Sequence, residues 1–210
     1  MKVQTVYDSR YIKVHDIEWQ PGKHYLDASR RDINNIMATM EDNEVRTALP
    51  DAVTVCMVVR VRGEVPRLYM TYEYRYPAGR YLLSPPAGLI DKEDRGRGRE
   101  DAILNTARRE LKEETGTDCM ECDEISIISP LLFSTPGMTD ESNALALVVL
   151  NRDRMPDFNQ DGAEGSEDFS DILLLDRNQA EKILQGGTDP NGIPYSVYTW
   201  ACLDYFVNHF

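Results

Sequence analysis

Arg109-Glu110-Leu111-Lys112-Glu113-Glu114-Thr115-Gly116 is the stretch on which the reading of this chain turns. It closes a run with helical periodicity, from near Asp101 to Thr115, in which Ile103, Ala107 and Leu111 recur on one side. On such a helix Glu110, Glu113 and Glu114 stand at i, i+3 and i+4, so three carboxylates share a face. Like charges at that spacing repel. The face is either a solvated acidic surface or a holder for a cation, and hard oxygen ligands suit Mg²⁺ or Mn²⁺. Arg109, four residues before Glu113, can clamp it as an ion pair, and Gly116 suits the left-handed residue that stops a helix.

Upstream lies Ser84-Pro85-Pro86-Ala87-Gly88-Leu89-Ile90-Asp91, a turn-rich segment ahead of the helix. Together the two segments resemble the Nudix box, the loop-helix-loop signature of the Nudix hydrolases. The box runs from a glycine through five residues to a glutamate, then seven residues to R-E-U-x-E-E-x-G-U, where U is apolar. Residues 109–116 match every fixed position of the second half, and Thr117 departs from its apolar end. The first half departs further. Counting back from Arg109 puts the box glutamate at Asp101, whereas counting forward from Gly88 puts it at Asp94. Twelve residues separate Gly88 from Asp101 instead of five, which implies an insertion of seven around Arg95-Gly96-Arg97-Gly98-Arg99. Alternating glycine and arginine make a flexible basic segment, read as a solvated loop tip, with a phosphate-contacting flap as the alternative.

Tyr74-Arg75-Tyr76-Pro77, Pro86-Ala87-Gly88-Leu89-Ile90-Asp91 and Pro136-Gly137-Met138-Thr139-Asp140-Glu141 look like the ADP-ribose pyrophosphatase branch of that family. The resemblance runs from about Val53 to Leu184. It implies an α/β protein with the Nudix α/β/α sandwich, a mixed sheet between helices. It also implies a small N-terminal β region over residues 1–50 that forms a homodimer, and a hydrolase domain over 51–210. The implied reaction is metal-dependent hydrolysis of the pyrophosphate bond of ADP-ribose or a related nucleoside diphosphate, giving AMP and ribose 5-phosphate. The resemblance places the metal, Mg²⁺ or Mn²⁺, on Glu110, Glu113, Glu114 and the Ala87 carbonyl. Glu141 is the implied general base or water-orienting group, and Arg109 positions Glu113. Arg75 is a candidate phosphate or ribose contact, and Trp19 a candidate surface for stacking on the adenine. Other Nudix substrates (a sugar nucleotide, a dinucleoside polyphosphate, NADH) and a non-catalytic ADP-ribose sensor are the alternatives. The intact glutamates speak against the sensor.

The whole chain sets bounds around this reading. Its 210 residues suit one substantial domain with at most a small appendage, and 41% hydrophobic residues supply a core. A formal charge of −13 disfavours nucleic acid and anionic membranes as partners. No apolar stretch has the length of a membrane span, and Met1 to Asp8 has no signal-peptide character, so a cytoplasmic location is expected. Cys119 and Cys122 form a lone C-x-x-C and His15, His24 and His209 are scattered, which points to reduced thiols rather than a zinc site.

Alternation from Lys2 to Trp19 predicts one or two strands broken at Pro21-Gly22, and Arg30 to Asp42 is open between helix and loop. Val53–Val61 and Leu68–Arg75 read as a hairpin turned at Gly63, and Glu121–Ile128, Leu145–Leu150 and Ile172–Leu175 as further strands. Asp153 to Asp171 reads as an acidic, turn-rich loop. Asp176 to Gln185 reads as a helix between the cap Asp176 and the stop Gly186-Gly187, and Tyr195 to Phe210 as a terminal helix.

Overall fold

The computed structural model describes residues 1–162 and 167–210. Residues 163–166, part of the acidic run from Asp153 to Asp171, lie outside the described residues. The chain divides into two compact units, one of Met1–Ala52 with Leu131–Asn143, the other of Val53–Pro130 with Ala144–Phe210.

In the first unit, β1 (Lys2–Asp8), β2 (Lys13–Gln20) and β3 (Lys23–Ser29) form an antiparallel three-stranded sheet. Pro21-Gly22 does not break the sheet, as the sequence suggested, but turns it. Gly22 takes φ +73, which a side chain would resist, and its N–H donates to Glu18 Oε1 at 2.9 Å. β3 escaped notice because its first four residues are exposed on both faces and carry no alternation. The undecided stretch after Arg30 folds as two single 3₁₀ turns, Ile33–Asn35 and Met37–Thr39. A capping box between Glu41 and Glu44 then starts α1 (Asp42–Thr47). Leu131–Asn143 is fastened to this unit. Ala28 N–H donates to the Met138 carbonyl at 3.0 Å, Asp140 N–H to Asp27 Oδ1 at 3.0 Å, and Arg31 Nη2 to Asp51 Oδ2 at 3.0 Å and Ser142 Oγ at 3.2 Å.

The second unit holds β4 (Ala52–Val61), β5 (Arg67–Arg75), β6 (Arg80–Ser84), β7 (Ala87–Leu89), α2 (Arg99–Thr115), β8 (Glu124–Phe133), β9 (Ser142–Arg152), β10 (Phe169–Leu175), α3 (Arg177–Gly186) and α4 (Val197–His209). It is a mixed α/β structure. The sheet runs β10-β5-β4-β9-β8, with β6 added on β5 and β7 on β4. The nearly continuous apolar runs of β4 and β9 are buried along almost their whole length, as central strands covered on both faces must be. β5 pairs antiparallel with β4, β6 and β10. On one face Cys56, Val58, Leu68, Met70, Leu145 and Val149 join Ile183 of α3 and Leu203 and Phe206 of α4 in a single core. Asp176 caps α3 by accepting from Gln179 N–H, and Gly187 ends it at φ +70. Of the aromatic residues of α4, Phe206 is buried in this core and Tyr205 packs against it, whereas Trp200 is exposed.

Candidate active site

The site is built on α2. Gly98 precedes its first turn, Glu100 and Asp101 sit where the positive end of the helix dipole favours acids, and Gly116 closes it at φ +68. The buried stripe is Ala102, Ile103, Thr106, Ala107, Glu110, Leu111, Glu114 and Thr115. Two of the three glutamates thus lie on the buried stripe, not on a solvated face. Glu110 is 3% exposed and Glu114 2%, while Glu113 stands at the rim.

Arg109 organises the rim. Nη1 reaches Glu110 Oε1 and Glu113 Oε2, each at 2.7 Å, and Nη2 donates to the Leu89 carbonyl at 2.8 Å and Asp94 Oδ2 at 3.0 Å. Asp94, buried, also accepts from Thr106 Oγ1 and Asp91 N–H at 3.0 Å each. The Arg109 guanidinium and these bonds hold its carboxyl below the usual carboxylate range despite burial. Asp101 is exposed and accepts from Arg97 N–H at 2.8 Å. Of the two residues that could stand for the first box carboxylate, Asp94 is the one joined to the box through Arg109, and Arg95 to Gly98 form the loop between it and the start of α2.

The carboxylates beneath are held against their electrostatic interest. Glu114 Oε1 accepts from Ala87 N–H at 3.0 Å, and Oε2 is buried with no partner among the described residues. Burial raises the Glu114 pKa well above its ordinary value, and the Glu110, Glu73 and Glu167 charges add to it. Burial likewise lifts Glu110 to about 7, with Arg109 opposing and Glu113 and Glu167 adding. Gly88 lets the chain pass at this point, since a Cβ there would overlap the Glu110 carboxylate. Among the described residues no three His, Cys, Asp or Glu side chains converge as a ready-made metal cage. The Arg109 guanidinium draws Glu110 and Glu113, and the Ala87 N–H draws Glu114. The donor set is nonetheless all hard oxygen, with an orphaned buried Oε2 and two desolvated acids short of positive charge. Those are the features a divalent cation fits.

The charges of two acids the sequence reading missed bear on this cluster. Glu73, on β5, has its pKa raised first by burial, with Arg75 opposing and Glu167 adding. Glu73 could have been suspected, as a charged residue between Tyr72 and Tyr74 in a strand of otherwise mainly apolar and aromatic residues. Glu167 carries no such signal. Arg75 Nη2 lies 2.5 Å from Glu73 Oε2, so the predicted phosphate contact is engaged with an acid. Glu141 and Trp19 belong to the first unit. Glu141 lies 2.9 Å from Arg30 Nε and its N–H donates to Thr139 Oγ1. Trp19 is half-exposed with the Lys23 ammonium 4.9 Å from its ring centre. Cys119 and Cys122 are free thiols.

The fold and the site together define an α/β protein with a loop–helix that carries buried carboxylates on its sheet-facing stripe. A family model for the NUDIX domain matches residues 48–190, and the chain belongs to that family. It is 31% identical over 131 residues to the putative nudix hydrolase 2 of Caenorhabditis elegans, covering 62% of this chain and 54% of that protein. It is 29% identical over 128 residues to the ADP-sugar pyrophosphatase of Mus musculus, covering 61% and 54%. The chain thus spans about half the length of these relatives (54% of each). A crystal structure of an ADP compounds hydrolase shares the fold, with a TM-score of 0.56 at 20% identity over 99% of this chain and 92% of that one. Nudix enzymes generally use divalent metals. Among the described residues no helix is long and apolar enough to cross a membrane.

Proposed function

We propose that this chain is a metal-dependent pyrophosphohydrolase that splits the diphosphate of ADP-ribose or a related ADP-sugar, releasing AMP and, from ADP-ribose, ribose 5-phosphate. The observation that carries this reading is the desolvated Glu110–Glu114 pair, whose raised proton affinities mark missing positive charge. Glu110, Glu113, Glu114 and the Ala87 carbonyl would hold Mg²⁺ or Mn²⁺, which neutralises the diphosphate and acidifies water. The names of the mouse relative and of the structural neighbour support an ADP-linked substrate. Arg109 keeps Glu113 in place, while Arg75 and Trp19 are the proposed substrate contacts and the N-terminal sheet the proposed homodimer surface. No nucleic acid or membrane partner belongs to this reading.

Glu141 is one proposed base. The charge of Glu167 on Glu110, Glu114 and Glu73 favours a second, with Glu167 as the acid from outside the helix that serves the reaction. The test is a panel of ADP-ribose, ADP-glucose, NADH and diadenosine polyphosphate with Mg²⁺ or Mn²⁺, and with chelator. Turnover of an ADP-sugar that chelation abolishes is expected. Binding of ADP-ribose without turnover of any compound would instead make the chain a sensor. Glu141→Gln and Glu167→Gln compared side by side assign the base, which should lower kcat about 10²-fold or more with KM within a few-fold.

A further inference from the structure

β10 ends the strand order of the larger sheet, and its free rim is bare. Among the described residues β10 pairs only with β5, in unbroken register from Ile172 opposite Thr71 to Leu175 opposite Leu68. No further main-chain bond reaches residues 172–175 among the described residues, so their outward N–H and C=O groups are open. Proteins usually blunt such a rim with a lysine, a proline or a bulge. Residues 172–175 carry neither charge nor proline, and the register shift comes earlier, between Phe169 and Ile172. Ile172, Leu173 and Leu174 are only partly buried.

Alongside this rim lies a groove of ≈ 610 Å³, within the roughly 300–1,000 Å³ usual for binding sites. One wall is Ile172, Leu173, Leu174 and Leu175. Consecutive strand side chains point to opposite faces, so four in a row line one groove only along the strand's edge. The main chain is then part of the wall. The other wall is α3, which presents Gln179, Lys182, Ile183 and Gly186, the i, i+3, i+4, i+7 stripe of one helix face. An open strand edge beside a helix stripe suits an extended peptide that adds as a further strand.

The charges of the groove favour one kind of occupant. Asp189, the acid in the lining, is buried, and its Oδ1 accepts from Asn191 and Ile193 N–H at 2.9 and 2.8 Å, which ties it to its own loop. Lys182 is exposed and meets no carboxylate among the described residues. A cation without an acid stands out in a chain of formal charge −13. Lys182 sits mid-stripe, so a second copy docking through its own β10 about a twofold axis would bring two ammoniums together. A peptide that carries a carboxylate there meets attraction instead.

We propose that the groove between β10 and α3 docks an extended peptide, which pairs with the β10 edge, lays apolar side chains in the groove and sets a carboxylate against Lys182. The site uses none of the residues assigned to the reaction.

The probes are capped, fluorescein-labelled seven-residue peptides. Valine, isoleucine or leucine alternates with threonine, and an aspartate replaces the central threonine. Fluorescence anisotropy measures their binding to the full chain, to Gly186→Trp and to Lys182→Glu, with thermal unfolding of each variant. A Cβ at Gly186 meets nothing within 4 Å, so an indole can enter the groove without displacing packed atoms. At least one probe is expected to bind wild type with Kd below about 100 µM. Gly186→Trp should weaken it about tenfold or more. Methylating alternate peptide amides should do the same in one register and not the other, since every second N–H faces β10. Lys182→Glu should weaken binding about tenfold and regain it when lysine replaces the peptide's aspartate. No binding by any probe, or equal binding by folded Gly186→Trp, overturns the proposal. Indifference to methylation in both registers overturns it as well, because the peptide would then adsorb without pairing. Unchanged affinity in Lys182→Glu removes the carboxylate and with it the occupant named here. A dimer of the chain in sedimentation, lost in Gly186→Trp and with no probe bound by wild type, would give the groove to a second copy and sink the peptide reading.

Discussion

Glu110 concentrates the conflict of this molecule in one side chain. It touches Arg109 at 2.7 Å and still holds its proton up to about pH 7, because burial outweighs the single guanidinium, which it shares with Glu113 and Asp94. The consequence for stability has a definite sign. An acid whose folded pKa is raised from 4.5 to about 7 stabilises the fold while protonated, and that contribution fades as pH climbs through about 7. In metal-free protein the advantage of Glu110→Gln over wild type should therefore grow between about pH 5 and pH 8. Unfolding midpoints of the two, followed across that range, check it; a constant difference would contradict the assignment. Gly88 guards the same carboxylate from the other side. Gly88→Ala places a methyl group on the Glu110 carboxylate, which is buried and pinned by Arg109. Turnover should fall about tenfold or more, the cost of misplacing a catalytic contact by about 1 Å, while circular dichroism shows a folded chain.

The box helix is legible at the level of elements because its signals are local. The apolar period, the stop at Gly116 and the R-E-L-x-E-E-x-G order all sit within one run. Its start was placed within two residues, at Arg99 rather than near Asp101. The choice between Asp94 and Asp101 was not legible, since it depends on which acid folds back onto Arg109 across fifteen residues of chain. Glu167 was out of reach for the same reason, its charge becoming meaningful only where separate elements meet. Two outcomes follow at this scale. Gly116→Ala should destabilise the protein by about 1–2 kcal/mol, the usual cost of a left-handed non-glycine residue, and by more if the adjacent Asn159 amide cannot shift. Denaturant titration reads it directly. Replacing Arg95 and Arg97 together by Gln should leave kcat/KM within about threefold, below about 0.7 kcal/mol of barrier, if these exposed residues are a solvated loop ahead of α2. A loss of tenfold or more would make them phosphate contacts.

At the scale of the whole molecule the chain carries a formal charge of −13, and α2 with its neighbours places part of that charge in a buried cluster. Composition disfavoured nucleic acid and anionic membranes as partners, yet it could not show that this particular cluster is desolvated, because burial is a property of the fold. A cluster of that kind is a reservoir of unfavourable energy that a divalent cation can release. An ion that binds the folded chain and not the unfolded one stabilises it by RT ln(1 + [L]/Kd), about 2.7 kcal/mol at a hundred times Kd. For a domain of this size that corresponds to a rise of roughly 5–10 °C in Tm. Mn²⁺ or Mg²⁺ added to chelator-treated protein should give such a rise without any substrate present, so the measurement is independent of turnover. Glu114→Gln should abolish most of the rise, since its amide cannot ionise to meet the ion while it keeps an acceptor for the Ala87 N–H. Glu124→Gln serves as the control, because Glu124 lies half-exposed on β8 against Arg60 and its loss should leave the metal-induced shift intact. An equal shift in wild type and Glu114→Gln would mean that the ion binds elsewhere on an acidic surface, and the box would then have to be read as a structural acid cluster held by Arg109 alone.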